Sequence, residues 1–179
     1  MQSTTLIDGK QLNLIINRLC YQLIENHDQF TDAVIIGLQP RGIFLADCIV
    51  DRLKSILPNA QVAAGILDPT FHRDDFRRSS KSLIAQVTSI PFPIENKNVI
   101  LIDDVLFSGR TIRAGLESMM EYGRPKSVEL LVLIDRRFTR ELPIEPKYVG
   151  KSIDSYDNQK VKVTWKKDGG EDKVLLLTD

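Results

Sequence analysis

The chain has few of the residues on which metal centres and disulfide frameworks depend. Only two cysteines and two histidines occur among its 179 residues. Cys20 and Cys48 lie in sequence with helical periodicity and show neither CxxC nor metal-ligand spacing, so we expect both to be core thiols. His27 and His72 are too few for a histidine-rich metal site.

Long hydrophobic runs and an excess of one charge are absent as well. No apolar run approaches the roughly 20 residues of a membrane-spanning helix, and the amino-terminal sequence MQSTTLIDGK lacks the basic and apolar regions of a signal peptide. We therefore expect a cytoplasmic protein. Lysine and arginine total 24, as do aspartate and glutamate, which gives no support to a strongly basic surface. With 42% apolar residues, residues 1–179 suit one domain with a substantial core.

The most informative segment is VILIDDVLFSGRT, residues 99–111. Its first four residues are apolar without alternation, which is typical of a central parallel strand buried on both faces. Asp103 and Asp104 follow, at the carboxyl edge where open α/β sheets bind ligands. A loop through Ser108 and Gly109 then leads into helix-forming sequence. The segment therefore predicts a strand, an acid pair, a small-residue loop and a helix N-terminus.

This order of parts suits a sugar phosphate. Gly109 lets the backbone approach a phosphate, Ser108 and Thr111 offer hydroxyls, and the free N–H groups of the helix favour an anion. Two ionised carboxylates can accept hydrogen bonds from two vicinal ribose hydroxyls. The alternative is a buried strand, a polar turn and a helix cap without a ligand. Burying two acids without partners would be costly, which argues against that alternative.

The segment resembles the phosphoribosyl-pyrophosphate (PRPP) motif of type I phosphoribosyltransferases. The resemblance implies an α/β fold with a mainly parallel central sheet flanked by helices, and a flexible hood hairpin. It also implies Mg²⁺, held mainly through water by the acid pair. The PRPP-binding loop that it implies consists of Asp103, Asp104, Val105, Leu106, Phe107, Ser108, Gly109, Arg110 and Thr111.

The apolar pattern along the chain predicts alternating helices and strands, which is typical of a doubly wound α/β fold. We find no internal repeat and no domain boundary. The carboxyl end is predicted to be a hairpin of KVKVTW and KVLLLTD around Asp168-Gly169-Gly170. The predicted helices cover residues 10–26, 42–57 and about 111–122, and the predicted strands cover 33–37, 61–68, 99–103 and 128–135.

A second loop, GLQPRG, follows the first predicted strand. Arg41 beside Gly42 can bind a diphosphate through charge and backbone N–H groups. In the resembled family this is the pyrophosphate loop, which often contains a cis peptide, and the resemblance assigns Gln39, Pro40, Arg41 and Gly42 to it. A cis bond before proline costs only about 0.5–1 kcal/mol, so Gln39–Pro40 can adopt it. The alternative is an ordinary turn with a surface arginine.

Residues 68–81, DPTFHRDDFRRSSK, form a polar stretch between strands. Such a stretch can be a solvated hairpin, but its position matches the flexible hood that closes over PRPP in the family. Arg73 would then reach the departing pyrophosphate, while closure excludes water. The resemblance thus implies catalytic roles for Asp103, Asp104, Arg41 and Arg73, with Asp104 a candidate to assist proton removal.

The resemblance narrows toward the carboxyl end. DDVLFSGRTIRAGL, the Gly123-Arg124-Pro125 turn, IDR, RELPI and YVGKSI are similar to the PyrR family of pyrimidine operon regulators and uracil phosphoribosyltransferases, from about residue 5 onward. This similarity implies that uracil and PRPP form UMP and pyrophosphate in a homodimer or higher oligomer. RELPI can also be a structural turn, and Arg137-Phe138-Thr139 departs from the usual family spelling. The implied base pocket is Asp135, Arg136, Leu142, Pro143 and Ile144.

Regulation through messenger RNA is the least supported implication. PyrR proteins that bind RNA present a basic face built partly from the first helix. Here that helix has one arginine, Arg18, with Asn17 and Tyr21 where basic or RNA-contacting residues are expected.

Three functions stay open: a uracil phosphoribosyltransferase, an RNA-binding attenuator that senses UMP, and a phosphoribosyltransferase for another base such as a purine. Purine-salvage relatives usually carry a Glu-Asp pair, although adenine and orotate enzymes share Asp-Asp.

Overall fold

The computed structural model describes residues 2–74, 84–156 and 158–178. Within these ranges the strands form a five-stranded parallel sheet, ordered β3-β2-β4-β5-β6, and a three-stranded antiparallel sheet, ordered β1-β8-β7. The elements are β1 (Gln2–Ile7), α1 (Gly9–His27), β2 (Ala33–Leu38), α2 (Gly42–Ile56), β3 (Ala63–Leu67), β4 (Asn98–Leu106), α3 (Arg110–Met120), β5 (Ser127–Arg137), β6 (Tyr148–Asp154), β7 (Gln159–Thr164) and β8 (Lys173–Thr178).

Continuous apolar strands lie at the centre of the parallel sheet because both of their faces are covered. All six residues of β2 are buried. In β4, Ile100 and Ile102 pack with α1 and α2 on one face, whereas Val99 and Leu101 pack with α3 on the other. Each such side chain contributes about 1.5–3 kcal/mol when fully buried. The predicted α/β class and parallel central sheet are therefore confirmed.

The helix predictions are confirmed to within one or two residues, and local signals explain where the first helix begins. The Asp8 side chain accepts a hydrogen bond from the backbone N–H of Gln11, and the Gln11 side chain accepts one from the N–H of Asp8. This reciprocal capping box satisfies two N–H groups that the first turn leaves unpaired. Cys20, on the buried face of α1, has its thiol pKa raised to about 12 by burial. No helix among the described residues could span a membrane.

Three features differ from the sequence-based expectation. Strand β4 continues to Leu106, so Asp103 and Asp104 lie within the strand and not beyond its end. Strand β6 was not predicted, because its sequence YVGKSID lacks a long apolar run; it pairs with β5 at the sheet edge. Strand β1 was not predicted, because four of the residues in QSTTL are polar and exposed and because its pairing partner β8 lies at the other end of the chain. Residues 75–81, half of the stretch 68–81 that was predicted to form the hood, lie outside the described residues.

The carboxyl-terminal hairpin is confirmed, and it forms most of the antiparallel sheet. β7 and β8 pair antiparallel from Gln159↔Thr178 to Thr164↔Lys173. Gly169 lies in the left-handed region at φ 77°, which a glycine adopts without steric cost. Trp165 and Val163 anchor this sheet in the core shared with α1 and α2. The hairpin therefore packs beside the carboxyl end of the parallel sheet, where the carbonyl of Val163 accepts a hydrogen bond from Arg41.

Glu129 lies in β5 and connects this strand to α1 and β6. Its Oε2 lies 2.8 Å from Nε2 of His27 in α1 and 2.8 Å from the hydroxyl of Tyr148 in β6. Its Oε1 accepts a hydrogen bond of 2.6 Å from Lys147 Nζ. Burial alone would raise the pKa of Glu129, but hydrogen bonds from Lys147, Tyr148 and His27 lower it overall.

Glu129→Gln should therefore cost about 1–3 kcal/mol of unfolding free energy at pH 7, because the ionised acceptor of three hydrogen bonds becomes a neutral amide. An acid whose pKa is lowered by folding stabilises the protein above its ordinary value of 4.5, and this stability is lost as pH falls through the folded pKa. Urea denaturation at several pH values should show the difference from wild type shrinking toward acid pH. Glu25→Gln, on the exposed face of α1, is the matched control. A loss that is constant with pH would contradict the assignment.

Candidate active site at the carboxyl edge of the sheet

The site forms where the order of strands reverses. The chain passes from β2 to β3 on one side and then returns to β4 on the other side of β2. Loops after β2 and β4 therefore diverge and leave a crevice between them, which is where open α/β sheets bind ligands. The loop after β2 carries Arg41, and the end of β4 carries the acid pair.

Asp103 and Asp104 are buried at this edge, with 8% and 7% of their surfaces exposed. The backbone N–H of Asp104 donates a 2.9 Å hydrogen bond to Oδ1 of Asp103. Burial, and then repulsion from Asp104, raises the pKa of Asp103 well above its usual range. Burial also raises the pKa of Asp104, although Arg41 opposes this shift. Hydrogen-bond donors or a cation bound here would relieve the repulsion, so the pair is suited to bind them.

Arg41 points toward the acid pair. Its Nε donates a 3.2 Å hydrogen bond to Oδ2 of Asp104, and Nη1 lies 3.7 Å from Oδ2 of Asp168 in the carboxyl-terminal hairpin. The Gln39–Pro40 bond is cis.

Gly42 allows α2 to begin directly against β4. A Cβ atom at this position would lie 2.5 Å from the carbonyl oxygen of Ile102 and 2.9 Å from Cα of Asp103. Both neighbours are backbone atoms of the strand that carries the acid pair. The absence of a side chain at Gly42 thus sets the distance between the loop after β2 and the acids on β4.

The phosphate loop lies between β4 and α3. Gly109 adopts φ 91° and immediately precedes the first helical residue, Arg110, so the unpaired N–H groups of the first turn open toward the loop. A cavity of about 320 Å³ lies over this loop, near the lower end of the usual range for ligand sites. It is lined by Arg73, Asp74, Asp103, Val105, Leu106, Phe107, Ser108, Gly109, Arg110, Thr111, Ile112 and Glu141.

Arg73 reaches this cavity from the segment that follows β3. Its charge lowers the pKa of Asp103, against the larger effects of burial and Asp104. The segment is anchored by buried Asp68, whose carboxylate accepts hydrogen bonds from the backbone N–H groups of Thr70 at 3.1 Å and Gln86 at 2.6 Å. Sequence reasoning did not single out Asp68, because its contact with Gln86, 18 positions along the chain, forms only when the two ends of the segment meet.

Two of the predicted base-pocket residues contact the phosphate loop. The N–H of Leu142 donates a 3.2 Å hydrogen bond to the carbonyl of Ser108. Ile144 packs against Gly109, where an added Cβ would lie 3.1 Å from its Cγ1. Pro143, with Ile144, lines a separate groove beside α3. The turn 142–144 therefore rests on the phosphate loop but does not line the cavity over it.

Asp135 and Arg136 support the loop from the side of β5. Asp135 forms an ion pair with Arg140, which in turn donates a 2.6 Å hydrogen bond to the carbonyl of Phe107. Arg136 is 5% exposed and its guanidinium carbon lies 4.2 Å from the centroid of the Phe107 ring, a cation–π distance. It also donates to Ser155 Oγ at 2.7 Å. Their roles in recognising a base stay predictions.

The chain is similar to known proteins over most of its length. A family model described as "Phosphoribosyl transferase domain" matches residues 2–168. "Bifunctional protein PyrR" of Desulfosudis oleivorans is 41% identical over 175 residues, covering 98% of this chain and 96% of the relative. "Bifunctional protein PyrR" of Ligilactobacillus salivarius is 42% identical over 171 residues, covering 94% and 95%.

Solved structures show the same fold. The hypoxanthine phosphoribosyltransferase of Trypanosoma cruzi superposes with a TM-score of 0.74 at 14% identity, over 98% of this chain and 96% of that one. A hypoxanthine phosphoribosyltransferase from Staphylococcus aureus superposes with a TM-score of 0.66 at 24% identity, over 84% and 77%. These likenesses bear out the type I phosphoribosyltransferase fold; at such identities they carry no argument about the base.

Proposed function

This chain belongs to the PyrR family of phosphoribosyltransferases, and on that premise we propose that it transfers the phosphoribosyl group of PRPP to uracil, forming UMP and pyrophosphate. The observation that carries the proposal is the buried acid pair of β4, which lies between Arg41 and the cavity over the phosphate loop. We propose further that residues 1–179 form a single phosphoribosyltransferase domain.

The reaction breaks the bond between ribose C1 and the pyrophosphate oxygen, so positive charge develops on the sugar and negative charge on the leaving group. The N–H groups and hydroxyls of Ser108, Gly109 and Thr111 would hold the 5′-phosphate, and Asp103 and Asp104 would accept hydrogen bonds from the ribose hydroxyls. Positive charge for the diphosphate would come from Arg41 and Arg73, which approach from two different loops.

The acid pair also fits Mg²⁺. Its carboxylate oxygens are the hard ligands that this ion prefers. Burial raises the pKa of both carboxyls, and repulsion from Asp104 adds to the shift of Asp103, so a bound cation would favour the ionised pair. No group of three or more acidic, histidine or cysteine side chains among the described residues is arranged to hold a metal ion. We therefore propose that Asp103 and Asp104 contact the ion mainly through water. When bound, Mg²⁺ would supply positive charge to the diphosphate.

The turn 142–144, together with Asp135 and Arg136, is proposed to border the base. Support comes from the contacts of Leu142 and Ile144 with the phosphate loop and from the packing of Arg136 on Phe107. A flat base could then be read by backbone groups of the turn. The competing proposal is transfer of the phosphoribosyl group to a base other than uracil. It stays open because the side chains proposed to discriminate among bases do not line the cavity over the phosphate loop.

A second role in RNA-dependent regulation is proposed from the relatives, whose name describes them as bifunctional. The first helix gives this role little support. Arg18 donates hydrogen bonds to the carbonyls of Val149 and Gly150, while Leu14 and Tyr21 are the exposed large hydrophobic side chains of α1. We also propose that the protein is a homodimer or a higher homo-oligomer and that it is located in the cytoplasm.

The test is release of pyrophosphate in the presence of Mg²⁺ and PRPP, with uracil, orotate, adenine, guanine or hypoxanthine as acceptor. Turnover with uracil alone, lost in Asp104→Asn, is the expected result. Turnover with a purine but not with uracil would replace uracil as the proposed base. No pyrophosphate release with any base would overturn the proposed enzymatic activity. The regulatory role is tested separately by binding of pyrimidine-leader RNA, whose affinity should fall steeply with salt if phosphates are contacted.

A further inference from the structure

The side chain of Arg110 connects two loops that both line the phosphate cavity. Its Nη1 donates a 2.7 Å hydrogen bond to Oδ2 of Asp74, in the segment that follows β3. Its Nε donates a 2.6 Å hydrogen bond to Oε2 of Glu141, in the turn that follows β5. All three side chains line the cavity. A planar guanidinium can bind two carboxylates on different edges, whereas an ammonium lacks this fixed fork.

Asp74 is held from a second direction by α3. Its Oδ1 accepts a 2.5 Å hydrogen bond from Nη2 of Arg113, and the same nitrogen donates to the carbonyl of His72 at 2.8 Å. Arg110 and Arg113 therefore both donate hydrogen bonds to the short segment that contains Arg73. Since Arg73 immediately precedes Asp74, fixing Asp74 on α3 restricts the backbone from which Arg73 enters the cavity.

Glu141 is held in a comparable way by the phosphate loop. Its backbone N–H donates a 3.0 Å hydrogen bond to the carbonyl of Ser108, and the N–H of Leu142 donates to the same oxygen. The Arg110 contact adds a side-chain restraint to a turn whose backbone already rests on the loop. One side chain therefore restrains both the arginine proposed to meet the diphosphate and the turn proposed to border the base.

We propose that Arg110 is a positioning residue, whose paired contacts with Asp74 and Glu141 clasp these two loops across the phosphate cavity. This inference rests on the proposed phosphoribosyltransferase reaction for its catalytic consequence, but not for its geometry. The three side chains are 52%, 41% and 50% exposed, and ion pairs at such exposure contribute little to folding stability. The clasp should therefore affect the order of the two loops and the reaction far more than the unfolding of the protein.

The competing role for Arg110 is direct contact with the phosphate. The two roles predict changes in different kinetic parameters when the carboxylates are neutralised. If Arg110 binds phosphate, then Asp74→Asn or Glu141→Gln releases it toward the ligand, and the KM for PRPP should fall. If Arg110 is a clasp, either substitution should lower kcat by about 10- to 100-fold, because misplacement of a reacting group by about 1 Å has an effect of this size.

The clasp is tested first without any substrate, by amide hydrogen exchange of the unliganded full chain. Arg110→Gln should accelerate exchange in both loops, at the N–H of Arg73, which bonds to the carbonyl of Thr70, and at the N–H groups of Glu141 and Leu142. Arg110→Lys should do so to a smaller extent. Arg124→Gln, an exposed arginine in the turn after α3, should leave both loops unchanged. Unaltered exchange in Arg110→Gln would overturn the clasp.

Kinetics then separate this inference from the proposed function. In a wild-type protein that turns over uracil, the double variant Glu141→Gln/Arg110→Gln should be no slower than Arg110→Gln alone, since both changes remove the same side-chain contact between Arg110 and Glu141. Additive losses, or a lowered KM for PRPP in Asp74→Asn, would contradict the clasp while leaving the reaction intact. A wild type that is silent with every base would overturn the proposed function, and the exchange result would still decide the clasp.

Discussion

Asp103→Asn should lower kcat/KM for PRPP by about 100- to 1,000-fold, the scale of removing one preorganised electrostatic contact, and at the same time make the unliganded protein more stable. The loss follows because a neutral amide cannot replace the charge that would bind ribose hydroxyls and hydrated Mg²⁺. Pyrophosphate release with saturating uracil measures it. Activity within a few-fold of wild type would remove Asp103 from the proposed site.

The gain in stability has a definite dependence on pH. Folding raises the pKa of Asp103, by burial and by repulsion from Asp104, so ionising this group opposes folding. At low pH, Asp103 is protonated in both states and does not lower the stability of the wild type. The wild type loses stability as pH rises from 3.8, the ordinary pKa of an aspartate, through the raised pKa of Asp103 in the folded protein. Asp103→Asn escapes this loss, and at pH 8 it should unfold with about 1–3 kcal/mol more free energy than wild type.

Denaturation of both proteins in the absence of Mg²⁺, at pH values from 4 to about 8, measures this difference. Asp154→Asn is the matched control, since its carboxylate is exposed and pairs with Arg137 at the surface of β6; a change below about 0.5 kcal/mol is expected there. A variant that is less stable than wild type at neutral pH would show that the Asp103 carboxylate stabilises the fold, contrary to the geometry of the pair.

Gly42→Ala should damage both stability and activity through a single methyl group. The added Cβ would lie 2.5 Å from the carbonyl oxygen of Ile102 and 2.9 Å from Cα of Asp103, and backbone atoms in a central strand cannot move aside. The start of α2 must then shift away from β4. We expect a loss of about 1–3 kcal/mol in unfolding free energy and a fall of about 100-fold in kcat/KM for PRPP, since Arg41 moves with the helix.

Urea denaturation and pyrophosphate release measure the two effects. Gly170→Ala provides the comparison, because an added Cβ there would lie no closer than 3.3 Å to its neighbours, Cβ of Thr164 and the carbonyl oxygen of Trp165, and lies outside the proposed site. Its effect on activity should be small. If Gly42→Ala kept both wild-type stability and wild-type activity, the close approach of α2 to the acid pair would not control the site.

Local sequence was sufficient wherever one short segment contains all the parts of a structure. The centre of the sheet was predicted because strands buried on both faces, such as 99–102, need an unbroken apolar run. The acid pair, the small-residue loop and the helix N-terminus follow one another within residues 103–111, so their order carries the chemistry. The carboxyl-terminal hairpin was likewise visible from two apolar strands around Gly169.

Features made by residues distant in sequence were not predictable in this way. Strand β1 is polar and forms only because β8 offers a pairing edge. Asp74 and Glu141 lie 36 and 31 positions from Arg110, and neither carboxylate stands out in its own segment. The packing of Arg136 against Phe107 and Ser155 likewise joins residues from three different segments.

The sequence by itself therefore determined the fold class and the chemistry of the phosphate loop, because both depend on the type and order of neighbouring residues. Tertiary structure alone decided the electrostatics and the geometry of the site. The raised pKa of Asp103 requires burial, the contact of Arg41 with Asp104 joins residues 63 positions apart, and the Arg110 clasp requires two loops to meet. Such contacts depend on distances in space, and only the packing of the helices and strands determines those distances.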